Sequence, residues 1–129
     1  MKELRCLVFT DQEVIKATIE HRRKLREALP AGTIRAVAYA VHDGAITTAI
    51  RIVDDHGEDQ SMTLGQAEVA AALVGYCMER GIPLPVHSDK CLYLINGALT
   101  LMITMNFNKT PRFTSKAQPA TESAAPMAE

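Results

Sequence analysis

The chain contains no tryptophan, and three tyrosines with three phenylalanines bring its aromatic content to only 5%. That scarcity argues against a large aromatic-lined ligand pocket, since such pockets draw heavily on aromatic side chains. The three cysteines, Cys6, Cys77 and Cys91, are odd in number and form no C-x-x-C pair. A disulfide framework and a zinc knuckle are therefore not expected, and the three read as reduced thiols of a cytoplasmic protein. The longest apolar run, VAAALVGYCM at 69–78, is about half the ~20 residues a bilayer-spanning helix needs. The opening MKELRCLVFTDQEV turns polar too soon for a signal peptide.

Charge of one sign is also missing. Fourteen Lys and Arg stand against fifteen Asp and Glu, for a net charge of −1, so the overall balance points to neither nucleic acid nor an anionic membrane. The sequence has no G-x-G-x-x-G, no G-x-x-x-x-G-K-[ST], no G-x-S-x-G and no H-E-x-x-H. The phosphate cradles, nucleophile elbow and zinc helix that those patterns encode are thus without a sequence basis, and no cofactor is expected. His21, His42, His56 and His87 are spread singly, which offers no Ser-His-Asp or Cys-His grouping for a catalytic residue.

What is present is a pattern written twice. INGALT at 95–100 and HDGAIT at 42–47 both place Asn-Gly or Asp-Gly between apolar strands, the signal of a type I′ hairpin turn. Gly44 and Gly97 are 53 positions apart, and the same offset links Thr10 to Thr63 and Leu29-Pro30 to Ile82-Pro83. Thr10 with Glu13, and Thr63 with Gln66, both read as capping boxes at helix starts. The sequence thus predicts helices over about 11–28 and 64–80. Strands are predicted over 34–42, 45–53, 90–95 and 98–106, with a short strand at 5–9.

The expected fold is α+β: two layers, with an antiparallel sheet of four to five strands and two helices on one face. It would be built from two helix–hairpin units, 10–53 and 63–106, repeated without a gap inside one domain of 1–108. Residues 109–129, rich in Pro, Ser, Thr and Ala, are expected to form a flexible tail. Alternation places Ile46, Thr48, Ile50 and Ile52, and Leu99, Leu101, Ile103 and Met105, toward the core.

The two helices differ. DQEVIKATIEHRRKLREAL is amphipathic, with Ile15, Thr18, Arg22, Leu25 and Leu29 on one stripe. LGQAEVAAALVGYCMER is apolar nearly all round, as a helix buried on more than one side would be. Something must cover it, either the chain's own termini or a second subunit. The small residues allow close approach, and a homodimer packed through Ala67, Ala70, Ala71, Val74, Gly75 and Met78 is expected.

Two clusters of charged residues remain. Asp54, Asp55, His56 and Asp59, with Glu58, could hold a hard cation or act as an acid–base pair, although their spacing matches no EF-hand or zinc pattern and a solvated loop accounts for them. Arg22, Arg23, Lys24 and Arg26 form the only basic run and could contact an anion, a partner or a phosphate backbone, without the interleaved aromatics that would stack bases. Arg22 falls on the sheet-facing stripe and calls for a buried acceptor such as Asp43, Asp54 or Asp89. The leading functional expectation is a non-enzymatic dimeric module that binds a protein or small-molecule partner. The alternatives are a nucleic-acid-associated protein using the basic run, and a small metal-dependent enzyme using the acidic loop.

Overall fold

The computed structural model describes residues 1–107 and the pair Ala125–Pro126. In chain order the elements are β1 (Lys2–Val8), α1 (Asp11–Leu25), β2 (Thr33–His42), β3 (Ala45–Val53), β4 (Asp59–Leu64), α2 (Gln66–Glu79), β5 (Asp89–Ile95), β6 (Ala98–Asn106) and β7 (Ala125–Pro126). The fold is α+β, but the expected single sheet is two. β2-β3-β4 forms one three-stranded antiparallel sheet and β1-β6-β5 the other, with the two residues of β7 added at the outer edge of β5.

The division follows from strand exchange between the halves. The second hairpin, β5-β6, takes its third strand from the N-terminus, in a register that runs from Lys2↔Asn106 to Val8↔Thr100. The first hairpin, β2-β3, takes its own from β4, which runs Val53↔Asp59 to Thr48↔Leu64. β4 is the strand that sequence reading missed, and it absorbs the supposed cap: Thr63 lies inside β4, while α2 starts after Gly65 with no side-chain cap. The Gln66 amide oxygen instead accepts from the Ile46 N–H at 2.7 Å. The offset of 53 therefore holds at the turns but not at the helix starts, since Asp11 and Gln66 are 55 positions apart.

Both hairpin turns are as the dipeptides require. Asp43 and Gly44, and Asn96 and Gly97, all have positive φ, between 52° and 79°, the I′ geometry that Asn, Asp and Gly tolerate. Thr10 closes α1 with the full capping box: its hydroxyl accepts from the Glu13 N–H, and the Glu13 carboxylate accepts from the Thr10 N–H. α1 ends three residues before the expected 28, because Arg26 turns left-handed (φ 60°) and caps it.

One core joins both sheets and both helices. Ile46, Ile50 and Ile52 from β3, Leu99, Leu101 and Ile103 from β6, Leu92 from β5 and Leu64 from β4 meet Val14 and Ala17 of α1 and Val69, Leu73 and Cys77 of α2. Met105 is half-buried at the margin of the row assigned to it, and Leu25, expected on the buried stripe of α1, is exposed. The expectation of a flexible tail over 109–129 lies outside the described residues except at Ala125–Pro126, which pair with β5.

Candidate functional site: the open face of the second helix

The chain itself covers most of α2. Val69, Ala70, Ala72, Leu73, Tyr76 and Cys77 are all buried in the core. Burial raises the pKa of the Cys77 thiol above its ordinary value and keeps it protonated. α1 covers a further side through three ion pairs. Arg22 holds Glu68 by two bonds of 2.6 and 3.0 Å, Lys24 meets Glu79, and Arg80 binds Glu20. Glu68 and Glu79 are about 16 Å apart along the axis of α2, yet both are reached from residues 22 and 24; α1 therefore lies across α2. The Arg80 guanidinium also stacks 3.6 Å from the centre of the Tyr76 ring, which packs edge-on against Phe9.

A narrow stripe of α2 stays open. Ala67, Ala71 and Met78 are exposed, and Val74 and Gly75 are half-buried, at the i, i+4, i+7, i+8, i+11 spacing of one helix face. Met78 exposes 67% of its surface. Of the six residues expected at a subunit interface, five lie on this stripe. Ala70 does not; it is 1% exposed and faces the chain's own core, because it sits about 100° round the helix from Ala71.

Gly75 is the informative member. In a helix interior glycine is about 0.8–1.0 kcal/mol less favourable than alanine. A Cβ built on Gly75 meets nothing within 4 Å, so nothing among the described residues requires the side chain to be absent.

The basic run is largely committed elsewhere. Arg22 and Lys24 are paired with α2, and Arg22 finds Glu68 rather than Asp43, Asp54 or Asp89. Arg23, Lys24 and Arg26 are all exposed, Lys24 while paired with Glu79, and Arg26 is the left-handed cap. A shallow cleft of about 220 Å³ beside Arg23 is lined by Ile19, Leu29, Pro30 and Ile34 among others.

The acidic loop has a local role. The Asp54 carboxylate accepts from the backbone N–H groups of His56 and Glu58, both at 2.9 Å, and so shapes the turn between β3 and β4. Asp59 pairs with Arg51 across the same sheet. Among the described residues no three His, Cys, Asp or Glu side chains converge as a metal site would need.

Sequence reading missed one apolar surface. On the outer side of β1, Leu4 and Val8 are 59% and 62% exposed, and Ile95 on β5 is 40% exposed. The signal was the alternation in KELRCLV, legible only once β1 was known to be an edge strand. No helix among the described residues is long and apolar enough to cross a membrane. Comparison with protein-family models, with curated proteins and with solved structures gives no match.

Proposed function

We propose that this chain is a non-enzymatic interaction module whose working unit is a homodimer packed through the open face of α2. Gly75 carries the reading: a helix-weakening residue stands where the fold leaves room for a side chain, and the benefit of omitting one falls to an approaching surface. The stripe is also self-complementary. In an antiparallel crossing centred between Ala71 and Gly75, the protruding Met78 of one copy lies over the small Ala67 of the other, twice by symmetry. The order strand–helix–hairpin occurs in both halves, which supports treating them as a structural repeat with a two-residue difference ahead of the second helix. The halves diverge where function is proposed: α1 spends its charges on α2, and α2 keeps an uncharged face.

Sedimentation velocity on the full chain tests this, with two variants. Gly75→Ala should raise the stability of the monomer by about 0.8–1.0 kcal/mol and weaken the dimer. Ala71→Glu should give a monomer with unchanged circular dichroism. A wild-type chain that stays monomeric throughout the micromolar range would sink the proposal.

A further inference from the structure

The two sheets present four edge strands, and an edge offers unpaired N–H and C=O groups to any extended chain unless something blunts it. Three are blunted. β1 carries Lys2, Glu3 and Arg5. β2 has a register break between Ile34 and Ala36. β4 is six residues long and opens on Asp59, which is held by Arg51. β5 carries charge only at its first two residues, Asp89 and Lys90, and is unguarded beyond them. Its register with β6 is regular from Asp89 to Ile95, and the five residues Cys91–Ile95 read CLYLI, uncharged and rich in strand formers. The one lysine, Lys90, is turned back into the preceding link, where its ammonium donates to the Pro85 and Ser88 carbonyls.

This undefended edge is also where the chain's C-terminal segment returns. Ala125 lies opposite Leu92 and Pro126 opposite Cys91, in antiparallel pairing. The contact covers two of the seven residues of β5, and Pro126 has no N–H to give. Among the described residues nothing pairs with Tyr93, Leu94 or Ile95 on that side. The sequence around this pair, SAAPMA at 123–128, carries no charge, as Cys91, Tyr93 and Ile95 carry none.

We propose that the outer edge of β5 is a strand-addition site for an extended, uncharged, small-residue peptide, and that Ala125–Pro126 hold its place within the same chain. Main-chain hydrogen bonds supply the affinity, and the alternate side chains of Cys91, Tyr93 and Ile95 supply the selection. A segment of the same chain competes with any untethered peptide for the edge it pairs with. Among the described residues the contact occupies only Cys91 and Leu92, and it leaves Tyr93, Leu94 and Ile95 for a longer partner strand.

The test is NMR on the full chain, with wild type compared with Ala125→Pro, which leaves two successive residues without a donor. Hydrogen exchange at the outward amides of Cys91–Tyr93 should accelerate at least ~10-fold in the variant. A synthetic peptide of residues 123–128, blocked at both ends, should shift the resonances of Cys91–Ile95 in the variant, and do so at least ~10-fold less readily in wild type, where the chain's own segment competes. Adding Ile95→Lys to Ala125→Pro should abolish those shifts, since a lysine guards an edge. Equal exchange rates in both chains, or peptide shifts absent from β5, would overturn the proposal. So would protection that rises with protein concentration, because the edge would then be covered by a second copy.

Discussion

Thr48 offers the sharpest test of how this core is built. Its side chain is fully buried on the inner face of β3, between Ile46 and Ile50, with Tyr39 and Leu64 opposite it on the flanking strands. Its hydroxyl has no hydrogen-bond partner among the described residues. A buried polar group left unpaired costs about 1–3 kcal/mol, and a methyl in its place adds about 0.8 kcal/mol of burial. Thr48→Val keeps the branched shape and should therefore stabilise the protein by about 2–4 kcal/mol. Urea unfolding should show a higher midpoint with an unchanged slope, and the melting temperature should rise by about 6–16 °C. Thr18→Val is the control. Thr18 is equally buried, but its hydroxyl donates to the Val14 carbonyl at 2.9 Å, so the lost bond offsets the gained methyl and the net change should be within about 0.5 kcal/mol. If Thr48→Val destabilises, or moves no more than Thr18→Val, the hydroxyl has a partner such as a buried water and the reasoning fails.

Three further outcomes are expected. Gly32→Ala should destabilise by about 2–4 kcal/mol, because φ is 143° and the new Cβ would lie 2.5 Å from the Val53 carbonyl oxygen; a loss under about 1 kcal/mol in denaturant unfolding would show that β2 can enter its sheet differently. The Arg80 guanidinium bonded to Glu20 holds that carboxyl below its ordinary 4.5. The folded state thus favours the ionised form, and the stability it contributes is present above that value and lost as pH falls through the lower, folded-state one; Glu20→Gln should flatten the decline of melting temperature with acid. Tyr39 is shifted the other way, raised well above 10 by burial and by donating to Asp11. Its stabilisation is present below pH 10 and lost at higher pH, so ultraviolet titration should show one tyrosine ionising only as the protein unfolds, and Tyr39→Phe should remove that component.

How much of this was legible in the sequence depends on how local each signal was. Asp43-Gly44 and Asn96-Gly97 fixed the two turns because the backbone demand sits on the same two residues that signal it. β3 and β6 took the expected bounds, 45–53 and 98–106, since their apolar alternation is long. β4 was hidden because DQSMTL turns only Met62 and Leu64 inward as apolar residues, and Thr63 followed by Gln66 imitates a capping box at a place where Gln66 is drawn instead to Ile46. The allocation of third strands could not be read at all: nothing near Lys2 announces Asn106. The partner of Arg22 was missed for the same reason, since Glu68 becomes its neighbour only when the helices cross. At the candidate site, the small-residue face was visible in the composition of the second helix, but the place of Ala70 in the core required knowledge of which arc of that helix the sheets occupy.

Strand exchange between the halves also sets an order of events during synthesis. The sheet β2-β3-β4 can close once residue 64 has left the ribosome, because all its pairings are between neighbours in sequence. Of the described strands β1 is made first and pairs last: its partner β6 ends at Asn106, so at about 5–20 residues per second β1 waits about 5–20 seconds with Leu4, Leu7 and Val8 uncovered. β1 is therefore the strand the nascent chain must keep from premature association, and the charges of Lys2, Glu3 and Arg5 are placed on it.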